Sequence, residues 1–221
     1  FGADICTWAY LKAIKENNLS SVIAQPCPAI VNYVEKYRPE LTEWLAPIHS
    51  PTLCTALFLR KYANSSDKIA FLSPCLGKDS EFEDKNTHGL VTYNVTYKKL
   101  KEYMERHRIN GETYQEVDFD DMGCALGLTF CRPGGLRENV EFVVPNAWIR
   151  QIEGKGHAYE YLDEYAERVA DHMKVPLLVD ILNCKDGCTR GTATCKDIQI
   201  DDIDSRMNEL KADVIKNKAN K

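Results

Sequence analysis

In the run Leu177-Leu178-Val179-Asp180-Ile181-Leu182-Asn183-Cys184, a mostly apolar segment ends in a cysteine. Two other segments have the same form, Ser21 to Cys27 and Lys68 to Cys75. Short runs rich in β-branched side chains are typical of buried parallel strands. A residue just past such a strand lies at the carboxyl edge of the sheet, where open α/β folds bind ligands. The sequence therefore predicts three thiols at one sheet edge, and Cys188 adds a fourth.

The segments between these runs have helical periodicity or turn signals. Helices are predicted over 4–17, 28–37, 51–63, 96–107, 136–140 and 157–173, a further strand over 90–95, and a loop over 77–88. In the helix over 96–107, Leu100, Tyr103 and Met104 are expected to be buried. The tail from 196 to 221 is polar, with a weak amphipathic segment. The alternation of strands and helices predicts an α/β fold with a mostly parallel sheet and right-handed crossovers.

Composition excludes several classes of protein. The 221 residues suffice for one large domain or two small lobes, and the net charge of -5 argues against nucleic acid as the main partner. No apolar stretch approaches the roughly 20 residues that cross a bilayer. The nine cysteines are an odd number and are too sparse for a secreted disulfide scaffold. Reduced thiols in the cytoplasm fit better.

Four converging thiolates are typical of a metal or iron–sulfur site. Structural zinc sites usually bring two short pairs of ligands, whereas this chain offers one pair and two remote single cysteines. The pattern therefore favours a cluster held between lobes, with a zinc-stabilised interaction domain as the competing hypothesis. The other cysteines are interpreted as ordinary residues, with Cys6, Cys54 and Cys124 as small buried hydrophobes and Cys195 as inert.

The residues around these thiols resemble the signatures of the iron-only (FeFe) hydrogenases. The matching segments are 25–35 with Pro26-Cys27-Pro28, 73–78 with Pro74-Cys75 and Lys78, 183–188 with Cys184 and Cys188, and 130–138 with Gly134-Gly135. The resemblance covers most of residues 1–188. It implies a two-lobed α/β domain, with mostly parallel sheets flanked by helices and the cluster site between the lobes.

The resemblance also implies a cofactor and a reaction. Cys27, Cys75, Cys184 and Cys188 would bind a 4Fe–4S cluster, and Cys188 would bridge to a binuclear iron unit that carries carbon monoxide and cyanide. Lys78 would donate a hydrogen bond to a cyanide, and Gly134 and Gly135 would contact the cofactor. The reaction implied is the reversible reduction of protons to dihydrogen.

Several positions depart from the family pattern. Pro26 stands where a proton-donating cysteine is expected, and Ala46 stands where the relay has a serine. Trp8-Ala9-Tyr10 replaces the acidic relay residues of the first helix, and Ser73 and Leu182 replace methionines near the binuclear iron. Cys131 and His49 are the candidates for a substitute proton donor.

These departures resemble the hydrogen-sensing branch of the family, whose members carry the Pro-Cys-Pro variant. They predict low turnover and a sensing role. The alternative is an iron–sulfur electron-transfer or assembly protein that keeps the hydrogenase fold without the binuclear iron.

The beginning of the chain matches a segment inside the family's catalytic domain. We therefore expect residues 1–221 to be a fragment that lacks the start of the N-terminal lobe and holds no complete active-site cluster by itself. The expected partners are protons and dihydrogen, together with a redox partner or an upstream ferredoxin-like domain. Nucleic acid and membranes are not expected partners.

Overall fold

A computed structural model describes residues 1–117 and 123–219 and contains two parallel sheets. The first has the order β1-β5-β4, from β1 (Val22–Ile23), β4 (Ile149–Glu153) and β5 (Leu178–Leu182). Leu178 is in register with Val22 on one side and Ile149 on the other. The second sheet pairs β2 (Ala70–Ser73) with β3 (Tyr93–Thr96). The predicted α/β class with parallel sheets is confirmed.

Eight α-helices flank these sheets in the part of the chain that the structure describes. They are α1 (Gly2–Glu16), α2 (Pro28–Tyr37), α3 (Pro51–Lys61), α4 (Lys78–Glu83), α5 (Tyr97–Arg106), α6 (Gly135–Val143), α7 (Lys155–Ala170) and α8 (Ile200–Ala219). The local sequence explains several starting points. The Leu53 backbone N–H donates to the Ser50 hydroxyl, which caps α3, and the Thr96 hydroxyl caps α5 in the same way.

The central strand β5 is buried at all five positions, as expected for a strand with a neighbour on each side and helices on its faces. Its core residues divide between two clusters. Leu178 packs with residues of α1, α3 and α6, whereas Val179 and Ile181 pack with residues of α2 and α7. The strand that ends before Cys184 is therefore held rigidly on both faces.

Four sequence predictions are wrong or incomplete. The segment 77–88 is not all loop, because it contains α4 and a 3-10 turn over Lys85–Thr87. Strand β4 was not predicted at all. In α5, Tyr103 is exposed and no residue is fully buried. The polar tail contains the long helix α8.

The prediction of one sheet edge also needs correction. Cys27 and Cys184 follow β1 and β5 of the three-stranded sheet, but Cys75 follows β2 of the other sheet. The thiols therefore come from the carboxyl ends of two separate sheets. Among the described helices, none is both long enough and apolar enough to cross a membrane.

Candidate metal centre

One cavity of about 210 Å³ brings the predicted thiols together. Its lining includes the four cysteines of the predicted cluster and two other candidate residues, Cys27, Cys75, Cys184, Cys188, Lys78 and Cys131. Much of the remaining lining is apolar and comes from α1, α3, β5 and the 3-10 segment Leu126–Cys131. The three sequence motifs therefore meet around one space.

The first cysteine is held at a helix start. Cys27 is the N-cap of α2, and its carbonyl accepts hydrogen bonds from the backbone N–H groups of Ile30 (3.0 Å) and Val31 (3.2 Å). Pro28 occupies the first turn of α2, where its missing N–H costs nothing. The Pro-Cys-Pro sequence thereby fixes the backbone conformation at Cys27.

The second cysteine lies on a turn closed by side chains. The Cys75 backbone N–H donates to the Ser73 hydroxyl, and that hydroxyl lies 3.0 Å from the Cys75 carbonyl oxygen. The same carbonyl accepts from the Asn94 amide at 3.1 Å. Ser73 is fully buried, so it acts here as a turn residue rather than as part of the cavity lining.

The third motif is joined to the second through the backbone. The Leu76 N–H donates to the Thr192 hydroxyl at 3.0 Å, and the Ala193 N–H donates to the Pro74 carbonyl at 2.9 Å. A Cβ on Gly191 would lie only 2.3 Å from that same carbonyl oxygen. The two loops that carry Cys75 and Cys188 are thus packed backbone against backbone.

A glycine sets the direction of the last cysteine. Gly187 has φ +64, in the left-handed region that favours glycine, and directly precedes Cys188. A Cβ at this position would lie 2.8 Å from the Cys131 carbonyl oxygen and 3.0 Å from the Pro133 nitrogen. Close approach of these segments therefore requires glycine, and it brings Cys131 to the cavity beside Cys188.

Lys78 connects the second motif to the first. Its ammonium group is largely buried, donates to the Pro26 carbonyl at 3.2 Å and forms an ion pair with Glu81. The Glu81 Oε1 atom is buried and has no hydrogen-bond partner among the described residues. The Pro26 carbonyl and this buried ion pair hold Lys78 between the two motifs.

The glycine pair lies next to the cavity, outside its lining residues. A Cβ on Gly135 would lie 2.0 Å from the Thr129 carbonyl oxygen, and one on Gly134, which has φ +72, would lie 2.4 Å from Gln151 Oε1. Both glycines thus permit close packing of α6 against its neighbours. Contact of either glycine with a cofactor stays a prediction.

Burial and mutual repulsion make these thiols costly to ionise without a positive partner. Burial raises the pKa of the Cys188 thiol to about 12, and the neighbouring thiols of Cys27 and Cys75 add to this effect. Burial, followed by the same two neighbours, also raises the pKa of Cys184. A cationic metal centre would reverse this balance, because metal-bound thiols are deprotonated. The donor set and its surroundings therefore fit a cluster.

The four thiols line one cavity, but among residues 1–117 and 123–219 no group of three or more Cys, His, Asp or Glu side chains is placed to hold one metal ion. In a 4Fe–4S cluster each thiolate binds a different iron, so the sulfurs surround a volume. That these four thiols bind such a cluster stays a prediction.

The two candidate proton donors differ in position. Cys131 lines the cavity, and burial raises the pKa of its thiol, so it keeps its proton. His49 lies in the lining of another cavity, of about 350 Å³, together with Ala46 and Glu81. Of the two, only Cys131 faces the predicted cluster.

Sequence reasoning missed three residues that support the site. The role of Glu81 was missed because its segment was interpreted as loop. Glu81 lies three residues after Lys78, a spacing that suits an ion pair on a helix. Thr192 carries no sequence signal of its role. The Tyr159 hydroxyl donates to Asn183 Oδ1 at 2.7 Å, and the Tyr159 ring stacks on Tyr33 with the ring centroids 4.0 Å apart. These contacts hold the side chain of Asn183, the residue before Cys184, in place.

A comparison with known families gives a clear result. The family model described as iron only hydrogenase large subunit, C-terminal domain, matches residues 1–160. The chain belongs to this family. The matched range contains the first two motifs and the Gly134-Gly135 segment, whereas Cys184 and Cys188 lie beyond it.

Solved structures of FeFe-hydrogenases share the fold. A variant of the hydrogenase HydA1 from Chlamydomonas reinhardtii is 15% identical, with a TM-score of 0.66 over 96% of this chain and 72% of that chain. An apo variant of the same enzyme is 14% identical, with a TM-score of 0.61 over 96% of this chain and 71% of that chain. A third structure is an FeFe-hydrogenase studied for oxygen inactivation through the 2Fe subcluster of the H cluster. It is 14% identical, with a TM-score of 0.65 over 94% of this chain and 73% of that chain. At these identities the likeness concerns the fold.

Proposed function

We propose that this chain supplies the cysteine ligands of an active-site cluster of the FeFe-hydrogenase type, and that the protein responds to dihydrogen at low turnover, in a hydrogen-sensing role. The observation that carries this proposal is the meeting of Cys27, Cys75, Cys184 and Cys188 with Lys78 around one cavity. Membership in the hydrogenase family supports the same reaction class, the interconversion of protons and dihydrogen.

In this proposal the four cysteines would hold a 4Fe–4S cluster, and Cys188 would also be a ligand of a binuclear iron unit. The cofactor supplies the redox chemistry at which protons and dihydrogen interconvert. The chain supplies a mostly apolar cavity and a fixed set of donors. Leu182 and Phe130 are both largely buried and line this space, which limits the access of water.

Lys78 is the cation that the chain presents to the cavity. Its bonds to Pro26 and Glu81 hold the ammonium group between the first and second motifs. A fixed donor of this kind stabilises an anionic ligand such as cyanide without reorganisation. Glu81 then acts as a positioning residue, because its carboxylate contacts the lysine and not the cavity lining.

The low turnover follows from what faces the cavity. The titratable side chains in its described lining are cysteines and Lys78, without a carboxylate or a histidine. Pro26 beside Cys27 has no proton to give. Fast proton transfer needs a chain of groups within hydrogen-bond reach, and here Cys131 is the one thiol of the lining outside the cluster ligand set.

The test is anaerobic maturation of the chain within its full-length protein, followed by iron and acid-labile sulfide analysis and infrared spectroscopy. The proposal expects iron, sulfide and the bands of bound carbon monoxide and cyanide. It also expects hydrogen evolution at least 100-fold slower than that of a standard hydrogenase, about 3 kcal/mol of additional barrier. Turnover comparable with a standard enzyme would contradict the sensing role.

Single alanine variants test the ligand set. Cys27→Ala, Cys75→Ala and Cys184→Ala should each lower the iron content, while Cys195→Ala is the matched control because Cys195 is exposed. Iron and sulfide without the infrared bands would favour an electron-transfer or assembly protein. Zinc without iron would favour an interaction domain.

The proposal also concerns the redox partner and the cellular compartment of the protein. A cluster of this kind exchanges electrons with a redox partner or an upstream ferredoxin-like domain. Reduced thiols persist in the cytoplasm, where glutathione and thioredoxin act, so we place the protein there.

A further inference from the structure

Two thiols outside the candidate metal centre lie in contact with each other. Cys6 of α1 and Cys54 of α3 both have their sulfur 3.4 Å from the His49 carbonyl oxygen, so one backbone acceptor brings the two thiols together. They are 0% and 8% exposed. The sequence interpretation treated each as an isolated small hydrophobe, whereas the fold makes them a buried dithiol.

The two helices approach closely at this point. A Cβ on Gly2, one turn before Cys6, would lie 2.1 Å from Thr55 Oγ1 and 2.2 Å from the Pro51 carbonyl oxygen. Cys54 lies between those two residues on α3. A disulfide requires Cα atoms within about 4.4–6.8 Å of each other, and a glycine-permitted helix crossing is where such separations occur.

We propose that Cys6 and Cys54 are a redox modification site that forms a reversible disulfide when a peroxide oxidises the chain. One thiol attacks a peroxide oxygen and becomes a sulfenic acid, with release of one water from hydrogen peroxide. The second thiol then attacks the sulfenic sulfur, forms the S–S bond and releases a second water. Two thiol hydrogens are lost, and the peroxide takes up the two electrons.

The neighbours of the pair indicate which thiol reacts first. Cys54 is 8% exposed and Cys6 is 0% exposed. The contact between the two thiols lowers the pKa of Cys54, whereas the same contact and burial raise the pKa of Cys6. Greater exposure and the lower pKa both make Cys54 the attacking thiol and Cys6 the resolving one. Buried cysteines are ordinarily inert, but the neighbours of this pair, Leu53 and His49, line a cavity of about 350 Å³. In this proposal a small peroxide that enters the cavity reaches Cys54 through local opening beside Leu53.

The disulfide would join two helices that border the metal centre. Ala3 of α1 and both Pro51 and Thr52 of α3 line the cavity that holds the four cysteines. Cross-linking α1 to α3 would therefore fix one wall of that cavity. Formation of the bond itself does not depend on the function proposed above.

Peptide mapping tests the proposal directly. The reduced full chain is treated with hydrogen peroxide, blocked with N-ethylmaleimide in denaturant and digested with trypsin without reduction. The peptide ending at Lys12 contains only Cys6, and the peptide spanning 37–60 contains only Cys54. The expected product is these two peptides linked, at about 2 Da below their summed mass. Recovery of both as separate alkylated peptides, or linkage of either to another cysteine, would overturn the proposal.

Variants and a thermal readout complete the test. Cys6→Ala should leave Cys54 as a dimedone-reactive sulfenic acid, whereas Cys195→Ala should leave the link intact. The bond closes a loop of about 50 residues, so the oxidised chain should melt about 10 °C above the reduced chain, reversibly with dithiothreitol. Equal melting temperatures in a sample that contains the linked peptide pair would contradict a bond formed in the native geometry.

Discussion

Asp180 is a charged side chain in the middle of the most buried strand, and its replacement by asparagine gives a quantitative test of the fold. It is 3% exposed, and its Oδ2 accepts a hydrogen bond from the Arg137 backbone N–H at 3.0 Å. Burial raises its pKa to about 6, with a smaller contribution from Glu153. Asparagine keeps a carbonyl oxygen for the Arg137 N–H and removes the charge.

The expected change in the free energy of unfolding follows from the difference between the pKa of Asp180 in the folded chain and its ordinary pKa. A rise from 3.8 to about 6 corresponds to about 3 kcal/mol, at 1.36 kcal/mol for each unit. Because the folded state holds the proton more tightly, this carboxyl group contributes stability that is fully present below pH 3.8 and is lost as the pH rises through about 6. Asp180→Asn should therefore be about 2 to 3 kcal/mol more stable than the parent chain at pH 8.

Urea unfolding followed by circular dichroism measures this difference at pH 8, 6 and 4.5. The advantage of Asp180→Asn should shrink as the pH falls, because the parent chain protonates Asp180 in the folded state. Asp197→Asn is the control, since Asp197 is exposed and pairs with Lys101 at the surface. An Asp180→Asn chain that is less stable at pH 8, or a difference that does not change with pH, would refute this account of the buried carboxyl group.

Three further predictions concern packing and capping, each measured by chemical denaturation. Gly135→Ala should cost about 3 kcal/mol or more, because the new Cβ would lie 2.0 Å from the Thr129 carbonyl oxygen. Gly156→Ala, with nothing within 4 Å, should instead stabilise α7 by about 0.5 to 1 kcal/mol, and a loss there would contradict the open space. Ser50→Ala should cost about 1 kcal/mol through loss of the cap on the Leu53 N–H.

The sequence predicted the helices best, because their apolar spacing and starting signals are local. The Ser50-Pro51 start of α3 and the Pro28 start of α2 are confirmed. Strand β4 was missed because its two isoleucines are three residues apart, which does not fit the period of two of a strand, and it becomes a strand by pairing along β5. Helix α4 is short and charged, and its position depends on burial of Phe82 in the small core beside the second sheet.

The meeting of the four thiols could be anticipated, but its geometry could not. Residues that follow paired parallel strands lie at the same edge of a sheet. This rule correctly predicted that Cys27 and Cys184 lie close together. The sequence did not indicate that Cys75 belongs to a second sheet, because strand pairing is set by contacts distant in the chain. The Lys78–Glu81 pair was missed because its segment was interpreted as loop, and the Thr192 contact was missed because it joins segments distant in the chain.

The proline carbonyls beside the cysteines have a consequence for the order of assembly. Pro26 and Pro74 each offer a carbonyl to a group from another motif, Lys78 in one case and the Ala193 N–H in the other. Hydrogen bonds of the protein itself thus join the three cysteine loops. We therefore expect these loops to be ordered before a cluster is inserted, in contrast to zinc fingers, where metal binding folds the chain.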